Sequence, residues 1–485
     1  MTKLSPPWPA GLPVGPGWRP APTSPVVFPY DGSVVADAPV GDPSLAACAL
    51  DEAVAVAGAV AASPAHARRA ALEQVSSLLS AHRGELEDLL VSESGKPLVD
   101  CRTEVARAIV TWSAAAEEVA RIHGETVALD AVPSGEGLLG FWTRRPIGVV
   151  VGIAGFNYPL LLASHKMAPA LAAGCPVVVK PAPQTPLATL WLVDLVRQAL
   201  AASGLPVAAA QLVTGDAAAG SALVTDRRVG AVSFTGSAAV GHRIARDAAP
   251  TKTLLELGSN AALVVAADAD LDAAADAILR GGYYASGQAC IAVQRVIVVG
   301  SVKEALVDRL VRRMPEVRVG DPRDPATRVS ALIDEASAQR VAAWVDGAVA
   351  AGARVIAGGG RKGAVVPPTL LDGVPDGQDA WDEEVFGPVV GIRAVPDIDA
   401  AFDAVNRSRY GLHASVFTRS LDTAFSALDR LEVGGVIVNE VPGFRSDIMP
   451  YGGVKDSGTG REGPRFAIDE LTVTRMAVIR LPRAA

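Results

Sequence analysis

One cysteine, Cys290, stands in a segment whose composition suits a reactive thiol. It follows Gly287 in the run SGQACI, where small side chains let a reagent approach the backbone closely. A thiolate at such a position is a strong nucleophile. The same context, with Ile291 next in the chain, is also typical of a buried structural cysteine, so the catalytic interpretation depends on suitable partners.

Two polar residues elsewhere in the chain are candidate partners. Glu256 is the one carboxylate in the run LLELG, and burial would raise its pKa toward that of a usable general base. Asn157 lies in a turn between an apolar strand and a helix, where an amide can donate to a developing oxyanion. The structural alternatives are an ion pair of Glu256 with Lys252 and capping of the turn by Asn157.

A glycine-containing segment, GSAAVG at 236–241, follows a predicted strand and opens a predicted helix. Backbone N–H groups at a helix start can bind a phosphate. The segment lacks the lysine of a Walker loop and the GxGxxG spacing of the usual dinucleotide fingerprint. It therefore indicates an anion site without identifying the ligand.

The elements that must position these groups follow from hydrophobic periodicity. Residues 45–121 have a helical period, and residues 147–248 alternate Val/Ile-rich strands with helices, a pattern that restarts over 262–439. Continuous apolar strands joined by helices predict parallel sheets covered on both faces, hence an α/β fold. Residues 1–44 are irregular and Pro/Gly-rich with a strand near 35–40, and the segment that begins at Val127 suits a β-hairpin.

Composition limits the function classes. With 485 residues the chain exceeds one ordinary core, and a formal charge of −8 without a basic run argues against nucleic-acid binding. Uninterrupted apolar runs such as 147–153 are far shorter than the ~20 residues of a membrane span, and the N-terminus lacks signal-peptide order. Four cysteines without CxxC spacing predict no metal site and a reducing cytoplasm. A small molecule is the expected partner.

Taken together, these segments resemble the aldehyde dehydrogenase superfamily over nearly the whole chain, in the family's order. The matching segments are GFNYP at 155–159, VVVKPAPQTP at 177–186, FTGSAAVG at 234–241, LELGS at 255–259, GQAC at 287–290, EEVFGPV at 383–389 and MPYGGVKDSGTGREG at 449–463. The resemblance implies a Rossmann-type cofactor domain, an α/β catalytic domain and a β-hairpin oligomerisation arm. The implied ranges are 1–126 with 149–256, then 257–455, and 127–148 with 456–485.

The resemblance also implies a mechanism with NAD or NADP. The Cys290 thiolate attacks an aldehyde carbon, while the Asn157 amide and the Cys290 N–H stabilise the oxyanion. Hydride transfer leaves a thioester, which water activated by Glu256 hydrolyses to the acid. The implied cofactor contacts are Ile153, Ala154, Phe156, Lys180, Pro183, Gly236, Ser237, Leu257, Glu384 and Phe386.

The sequence departs from the family pattern at two places, and one further pair of residues has two possible roles. Pro183 replaces a glutamate with which many NAD-preferring members bind the ribose, so NAD and NADP both stay open. The run Ser259-Asn260-Ala261 also departs from the family's usual continuation. Lys166 and Glu462 match positions where some members place a proton relay, and a structural salt bridge would explain them equally.

For the substrate, the resemblance indicates a small polar aliphatic aldehyde of the lactaldehyde type. The candidate contacts are Tyr158, Trp112, Ile291 and Arg445. The small neutral Ala289 argues against a phosphate, because members that bind phosphorylated aldehydes commonly place a basic residue there. Arg445 leaves room for an anionic aldehyde such as phosphonoacetaldehyde or a semialdehyde, or else pairs with Asp447.

A homodimer or homotetramer is expected from the family's arm, with the predicted C-terminal strand either added across subunits or closing its own sheet. Three other functions remain as alternatives. A CoA-acylating dehydrogenase would not need Glu256, and a non-catalytic protein on the same fold would not need the three candidate residues together. A thiol hydrolase would need a histidine paired with Cys290, which the sequence does not indicate.

Overall fold

The computed structural model describes residues 6–480 and residue 482. The outermost residues of the first and third predicted ranges, namely 1–5, 481 and 483–485, lie outside the described residues. The first part of the chain forms a hairpin, four helices and two arm strands. These are β1 Thr23–Val27, β2 Val34–Pro39, α1 Pro43–Ala61, α2 Ala65–Ala81, α3 Arg83–Ser94, α4 Leu98–Glu118, β3 Glu125–Val127 and β4 Leu138–Pro146.

A strand–helix alternation follows, as predicted. Its elements are β5 Val149–Ile153, α5 Pro159–Ala173, β6 Val177–Lys180, α6 Leu187–Ala202, β7 Ala210–Leu212, α7 Ala217–Val224, β8 Val229–Thr235, α8 Ala238–Ala248 and β9 Lys252–Glu256. The Asp216 carboxylate caps α7 by accepting from Ala218 N and Ala219 N, which satisfies two backbone donors that the helix itself cannot.

The alternation then restarts. Its elements are β10 Ala262–Val265, α9 Leu271–Tyr283, β11 Arg295–Val299, α10 Lys303–Arg313, α11 Glu335–Ala350, β12 Arg354–Ala357, β13 Thr369–Asp372, α12 Asp379–Asp382, β14 Val389–Val395, α13 Ile398–Asn406, β15 Tyr410–Gly411, β16 His413–Phe417, α14 Leu421–Arg430 and β17 Gly435–Val438. The chain closes with β18 Val454–Lys455, β19 Gly458–Thr459, α15 Pro464–Glu470 and β20 Thr472–Arg480.

Two main sheets organise these elements. The first has the order β19-β9-β8-β5-β6-β7 and the second β12-β13-β14-β11-β10-β16-β17. Every neighbouring pair is parallel except β19 with β9 and β12 with β13. In the second sheet, Val264 packs into one buried cluster while Leu263 and Val265 pack into another, so both faces are covered. The predicted α/β fold is confirmed.

The predicted hairpin forms a separate three-stranded sheet in the order β20-β4-β3. Strand β20 pairs antiparallel with β4 over nine residues, from Thr472 opposite Pro146 to Arg480 opposite Leu138. It therefore joins the sheet of its own chain. Assembly through this arm stays a prediction.

Helix α1 alone, among the described residues, is long and apolar enough by composition to cross a membrane, with a mean hydropathy of 1.6. Core helices of soluble proteins pass the same test. Ala46, Ala49 and Leu50 of this helix are buried in the core. Its length and composition carry no further conclusion.

The parallel arrangement brings the candidate residues together. Parallel strands end at the same sheet edge, where ligands bind in open α/β folds. Glu256 ends β9, Thr235 ends β8, Ile153 ends β5 and Lys180 ends β6, which are four neighbouring strands of the first sheet. The loop that carries Cys290 lies between α9 and β11, and it reaches this edge from the second sheet.

Candidate active site

A cavity of about 710 Å³ lies between the edge of the first sheet and the cysteine loop. Cys290, Glu256 and Asn157, which are 133 residues apart at the extremes, all line it. Three of the four residues predicted to contact substrate, Tyr158, Ile291 and Arg445, also line this cavity. The candidate nucleophile, base and oxyanion donor therefore share one site.

The loop before Cys290 has an unusual backbone. Ala285, Ser286 and Gly287 have φ values of 48°, 56° and 72°, three consecutive residues in the left-handed region. A Cβ at Gly287 would collide with the carbonyl of Gly387, so only glycine fits there. The strain is held by neighbours, since the Ser286 hydroxyl accepts from Ser330 N at 2.9 Å. The result is a rigid turn that presents the thiol to the cavity.

The side chain of Asn157 does not cap its own turn. Its Nδ2 instead donates to the backbone carbonyl of Gln288 at 2.9 Å, two residues before the cysteine. The capping alternative is therefore wrong. The amide lies beside the cysteine loop, where an oxyanion formed on the thiol's substrate would need a donor.

Glu256 is buried, with 7% of its surface exposed, and its Oε2 has no hydrogen-bond partner among the described residues. Burial, with Glu462 as a like charge nearby, raises the pKa of Glu256 well above its ordinary value. The alternative pairing with Lys252 is wrong, because that lysine pairs with Glu470 at 2.5 Å. An unpartnered carboxyl group with a raised pKa is suited to proton transfer.

The predicted relay residues are in contact. Lys166 Nζ lies 3.4 Å from Glu462 Oε1 and donates to the Thr235 hydroxyl at 2.6 Å, and both charged side chains are buried. His165 and Arg445 also face Glu462, at 3.2 and 2.9 Å. These neighbours hold the pKa of Glu462 well below its usual range despite its burial. The geometry fits a structural ion pair and a relay equally.

Arg107, on α4, lines the same cavity and was not predicted from the sequence. Its guanidinium binds Asp447 through two bonds, Nε to Oδ2 at 3.0 Å and Nη2 to Oδ1 at 2.8 Å. The predicted Arg445–Asp447 pairing is the longer contact, at 3.9 Å, against 2.9 Å from Arg445 to Glu462. Nη1 of Arg107 has no hydrogen bond to a described residue, so this group is available to a ligand.

The prediction that Trp112 contacts substrate is wrong. Trp112 is fully buried, and its Nε1 donates to the Ser164 hydroxyl at 3.0 Å, inside the packing of α4 against α5. The helix presents Thr103 and Arg107 to the cavity, four residues apart on one face. Trp112 lies five positions after Arg107 and is therefore rotated by about 140° from that face.

The cavity continues as a cleft to the start of helix α8, where Gly236 and Ser237 line it. Helix α8 begins after Gly236, and its N-cap residue Ser237 makes no side-chain capping bond, which leaves backbone donors open to an anion. Gly241 allows close packing, because a Cβ there would collide with Leu257. Lys180 is buried and has no ion pair among the described residues. The start of α8 therefore offers backbone donors to a negatively charged group at this end of the cleft.

The other end of the cleft carries Glu384, whose Oε1 accepts from Ser259 N at 2.9 Å. Burial raises the pKa of Glu384 to about 7. Phe386, with a φ of 49°, packs edge-on against Phe156 with ring centroids 5.6 Å apart. Of the remaining predicted cofactor contacts, Ile153 and Ala154 lie at the end of β5, and Pro183 is exposed after β6.

A buried ion pair that the sequence did not reveal holds the Asn157 turn. Lys96 Nζ contacts the Glu104 carboxylate and donates to the Asn157 carbonyl at 2.7 Å. The other oxygen of Glu104 accepts from Leu160 N and Leu161 N, at 2.9 and 3.2 Å. The pair therefore ties the N-terminus of α5 and the Asn157 turn to α4.

Lys96→Met is expected to lower the free energy of unfolding by about 3–5 kcal/mol, because it leaves the Glu104 charge buried without its partner. The measurement is the first unfolding transition in urea. Arg69→Met is the control, since Arg69 and Glu73 form an exposed pair that contributes at most about 1 kcal/mol. Equal midpoints for the two variants would contradict the assigned role of the buried pair.

Some of the site residues that the sequence analysis did not select lie in recognisable sequence segments, and one does not. Tyr451, which contacts the thiol, lies inside the matching segment MPYGGVKDSGTGREG, and Lys96 lies in the SGKP break between two predicted helices. Both positions could have been selected from the sequence. Arg107 has no such signal, because it lies in an ordinary amphipathic helix.

Comparisons with known proteins agree with this geometry. The model of the Aldehyde dehydrogenase family matches residues 18–477. A 3-sulfolactaldehyde dehydrogenase of Priestia aryabhattai is 42% identical, covering 84% of this chain and 85% of the relative. A lactaldehyde dehydrogenase of Methanococcus aeolicus is 35% identical, covering 84% and 86%.

A solved structure of a glyceraldehyde-3-phosphate dehydrogenase from Methanocaldococcus jannaschii, complexed with NADP, superposes with a TM-score of 0.91 at 32% identity, covering 94% of this chain and 99% of that one. The family match spans far more than half of the 485 residues. The sequence-based resemblance is thus confirmed, and the chain belongs to the aldehyde dehydrogenase family.

Proposed function

We propose that this enzyme oxidises a short 2-hydroxyaldehyde of the lactaldehyde type, carrying an anionic group on its far carbon, to the carboxylate with NAD or NADP. The observation that carries the substrate proposal is Arg107, which lines the cavity and whose Nη1 has no hydrogen bond to a described residue. A guanidinium already held by Asp447 through Nε and Nη2 offers Nη1 to a ligand at little cost in side-chain entropy.

The charges around the cavity support an anionic ligand. Four arginines line the cavity, namely Arg107, Arg280, Arg340 and Arg445, together with the carboxyl groups of Asp100, Glu256 and Glu384. Asp447 pairs with Arg107, and Glu462 pairs with Arg445. Neighbouring cations hold the pKa values of both carboxyl groups below the ordinary range. Burial raises the pKa values of Asp100, Glu256 and Glu384, so negative charge on these three groups is disfavoured and the arginines favour an anionic ligand.

The name of one relative also supports an anionic aldehyde as the substrate. 3-Sulfolactaldehyde is lactaldehyde with a sulfonate on its far carbon, and it is the named substrate of the relative that is 42% identical. The small neutral Ala289 beside the thiol argues against a phosphate, as the sequence predicted.

In the proposed reaction, Cys290 Sγ forms a bond to the aldehyde carbon. The resulting oxyanion accepts hydrogen bonds from Asn157 Nδ2 and from the Cys290 backbone N–H. After oxidation to the thioester, Glu256 takes a proton from water as that water attacks the carbonyl carbon. The carbon–sulfur bond then breaks, the acid leaves, and the thiolate is restored.

The cleft fits a dinucleotide cofactor, which when bound would accept the hydride from the carbon that bears sulfur. The open N-terminus of α8 at Gly236 and Ser237 would hold the pyrophosphate. Lys180 and Glu384 would bind the two riboses, with Phe386 beside the reacting ring. Pro183 presents no carboxylate against a 2′-phosphate, so both cofactors are compatible with this cleft.

The experiment is cofactor reduction, followed by absorbance, with NAD or NADP against lactaldehyde, 3-sulfolactaldehyde and succinate semialdehyde, each with and without CoA. We expect CoA-independent reduction and the highest kcat/KM for 3-sulfolactaldehyde. A strict CoA requirement would support the acylating alternative. No reduction with any pair, together with no cofactor binding, would support a non-catalytic protein.

Arg107→Gln is expected to raise KM for 3-sulfolactaldehyde about 10–100-fold, since a hydrogen bond to a charged group contributes about 1.5–3 kcal/mol. KM for neutral lactaldehyde should change little. The fold should survive, because Asp447 keeps His165 at 3.1 Å.

Arg102→Gln is the matched control for this variant, because Arg102 lies on the same helix, is half exposed and pairs with Glu87 outside the cavity. Its steady-state constants should equal those of the parent. A similar rise in KM for both aldehydes in the Arg107 variant would refute the anion-binding role.

A further inference from the structure

Tyr451 occupies a position that the proposed reaction does not yet use. Its phenol oxygen lies 3.2 Å from Cys290 Sγ, within hydrogen-bond distance, and the residue is buried. The phenol has no other hydrogen-bond partner among the described residues. Ile291 and Leu412 pack beside this pair, and both members of the pair line the cavity.

The tyrosine is held from several sides. Its backbone N–H and carbonyl both bond to Glu462, at 3.1 and 2.7 Å. The His413 ring packs against its edge with centroids 5.0 Å apart, and the Arg445 guanidinium lies 3.7 Å above its face. Because backbone and ring are both fixed, the phenol oxygen has little freedom to leave the sulfur.

This contact matters because the thiol is otherwise difficult to ionise. Burial raises the pKa of Cys290 to about 12, and the carboxyl groups of Glu384 and Glu256 act in the same direction. A phenol can donate to a thiolate, which favours the charged form, and a hydrogen bond to a charged acceptor is roughly twice as strong as a neutral one. A guanidinium over the ring draws electron density from the phenol and strengthens it as a donor.

We propose that Tyr451 donates a hydrogen bond to the sulfur of Cys290 and stabilises its thiolate, with Arg445 above the ring increasing the strength of that donor. The inference rests on the proposed role of Cys290 as nucleophile. In the step concerned, the thiol proton leaves to solvent, the sulfur keeps the electron pair, and the phenol O–H stays intact while its hydrogen bond to sulfur shortens.

The test is the alkylation rate of Cys290 by iodoacetamide between pH 7 and 9, followed by mass spectrometry of the cysteine peptides. The measurement needs neither aldehyde nor cofactor. Its result therefore does not depend on whether the proposed substrate is correct. Tyr451→Phe is expected to slow alkylation of Cys290 about tenfold at each pH, the effect of raising its pKa by one unit. Cys48, a half-buried thiol on α1, is the internal reference and should react unchanged.

Two further proteins separate donor strength from packing. Replacement of Tyr451 by 3-fluorotyrosine, assayed at pH 7 so that the phenol stays protonated, makes the phenol a stronger donor and should accelerate alkylation relative to the parent at that pH, which a purely structural role would not predict. Tyr284→Phe removes a phenol from the same cavity that has no hydrogen bond to the sulfur, and should leave the Cys290 rate within twofold. Alkylation of the Tyr451→Phe protein at or above the parental rate would overturn the proposal.

Discussion

Cys290→Ala is expected to abolish aldehyde oxidation, with a loss of at least about 10⁴-fold in kcat, while cofactor binding persists. Without the sulfur no covalent intermediate can form, and no other described cysteine lines the cavity. Two measurements check this result, steady-state reduction of the cofactor and titration of NADPH binding by fluorescence.

Cys48→Ala is the matched control, because Cys48 is the other cysteine that is not fully buried and it lies on α1 away from the cavity. The control should oxidise aldehyde at the parental rate. Substantial oxidation by the Cys290 variant would exclude a thioester mechanism. Loss of cofactor binding in that variant would instead indicate that the cysteine loop had rearranged.

Glu256→Gln is expected to keep a first-turnover burst of reduced cofactor and to slow steady-state turnover about 10²–10⁴-fold, the range that general base catalysis contributes. The burst persists because the chemistry up to the thioester requires Cys290 and Asn157. Deacylation slows because an amide cannot take a proton from water. Rapid-quench or stopped-flow measurement separates the two phases.

The raised pKa of Glu256 also predicts the direction in which the deacylation rate changes with pH. Burial raises the pKa of Glu256, so the group is protonated and inactive as a base below that pKa. Deacylation by the parent should therefore increase with pH up to the raised pKa and then level off, while the variant shows no such rise. Glu432→Gln, at an exposed pair with Lys455, is the control and should keep the parental profile. Equal turnover in the Glu256 variant and the parent would rule out the base role.

Much of the fold could be predicted because strands and helices leave local signatures. The two predicted strand–helix alternations, over 147–248 and 262–439, contain strands β5 to β8 and β10 to β17 with their helices. Strand β1 was missed, because its five residues contain Pro25 and lie in a Pro/Gly-rich segment with no clear alternation.

Some of the predicted site residues line the cavity, and one of them lies elsewhere. Cys290, Glu256 and Asn157 stand in short segments that match family motifs, so their positions could be taken from the sequence, and all three line one cavity. Trp112 was assigned wrongly because an aromatic side chain on an amphipathic helix has the same pattern whether it faces a ligand or the core. Its burial against Ser164 depends on how α4 packs on α5.

The fold class, the family and the identity of the candidate nucleophile and base followed from sequence, because periodicity and motifs are properties of neighbouring residues. The electrostatics of the cavity did not. Arg107 and Asp447 are 340 positions apart, and Tyr451 and Cys290 are 161 apart. Each pair meets only when α4, α5 and the cysteine loop pack around one cavity, because pKa values and unpaired donors depend on distances that no local pattern encodes.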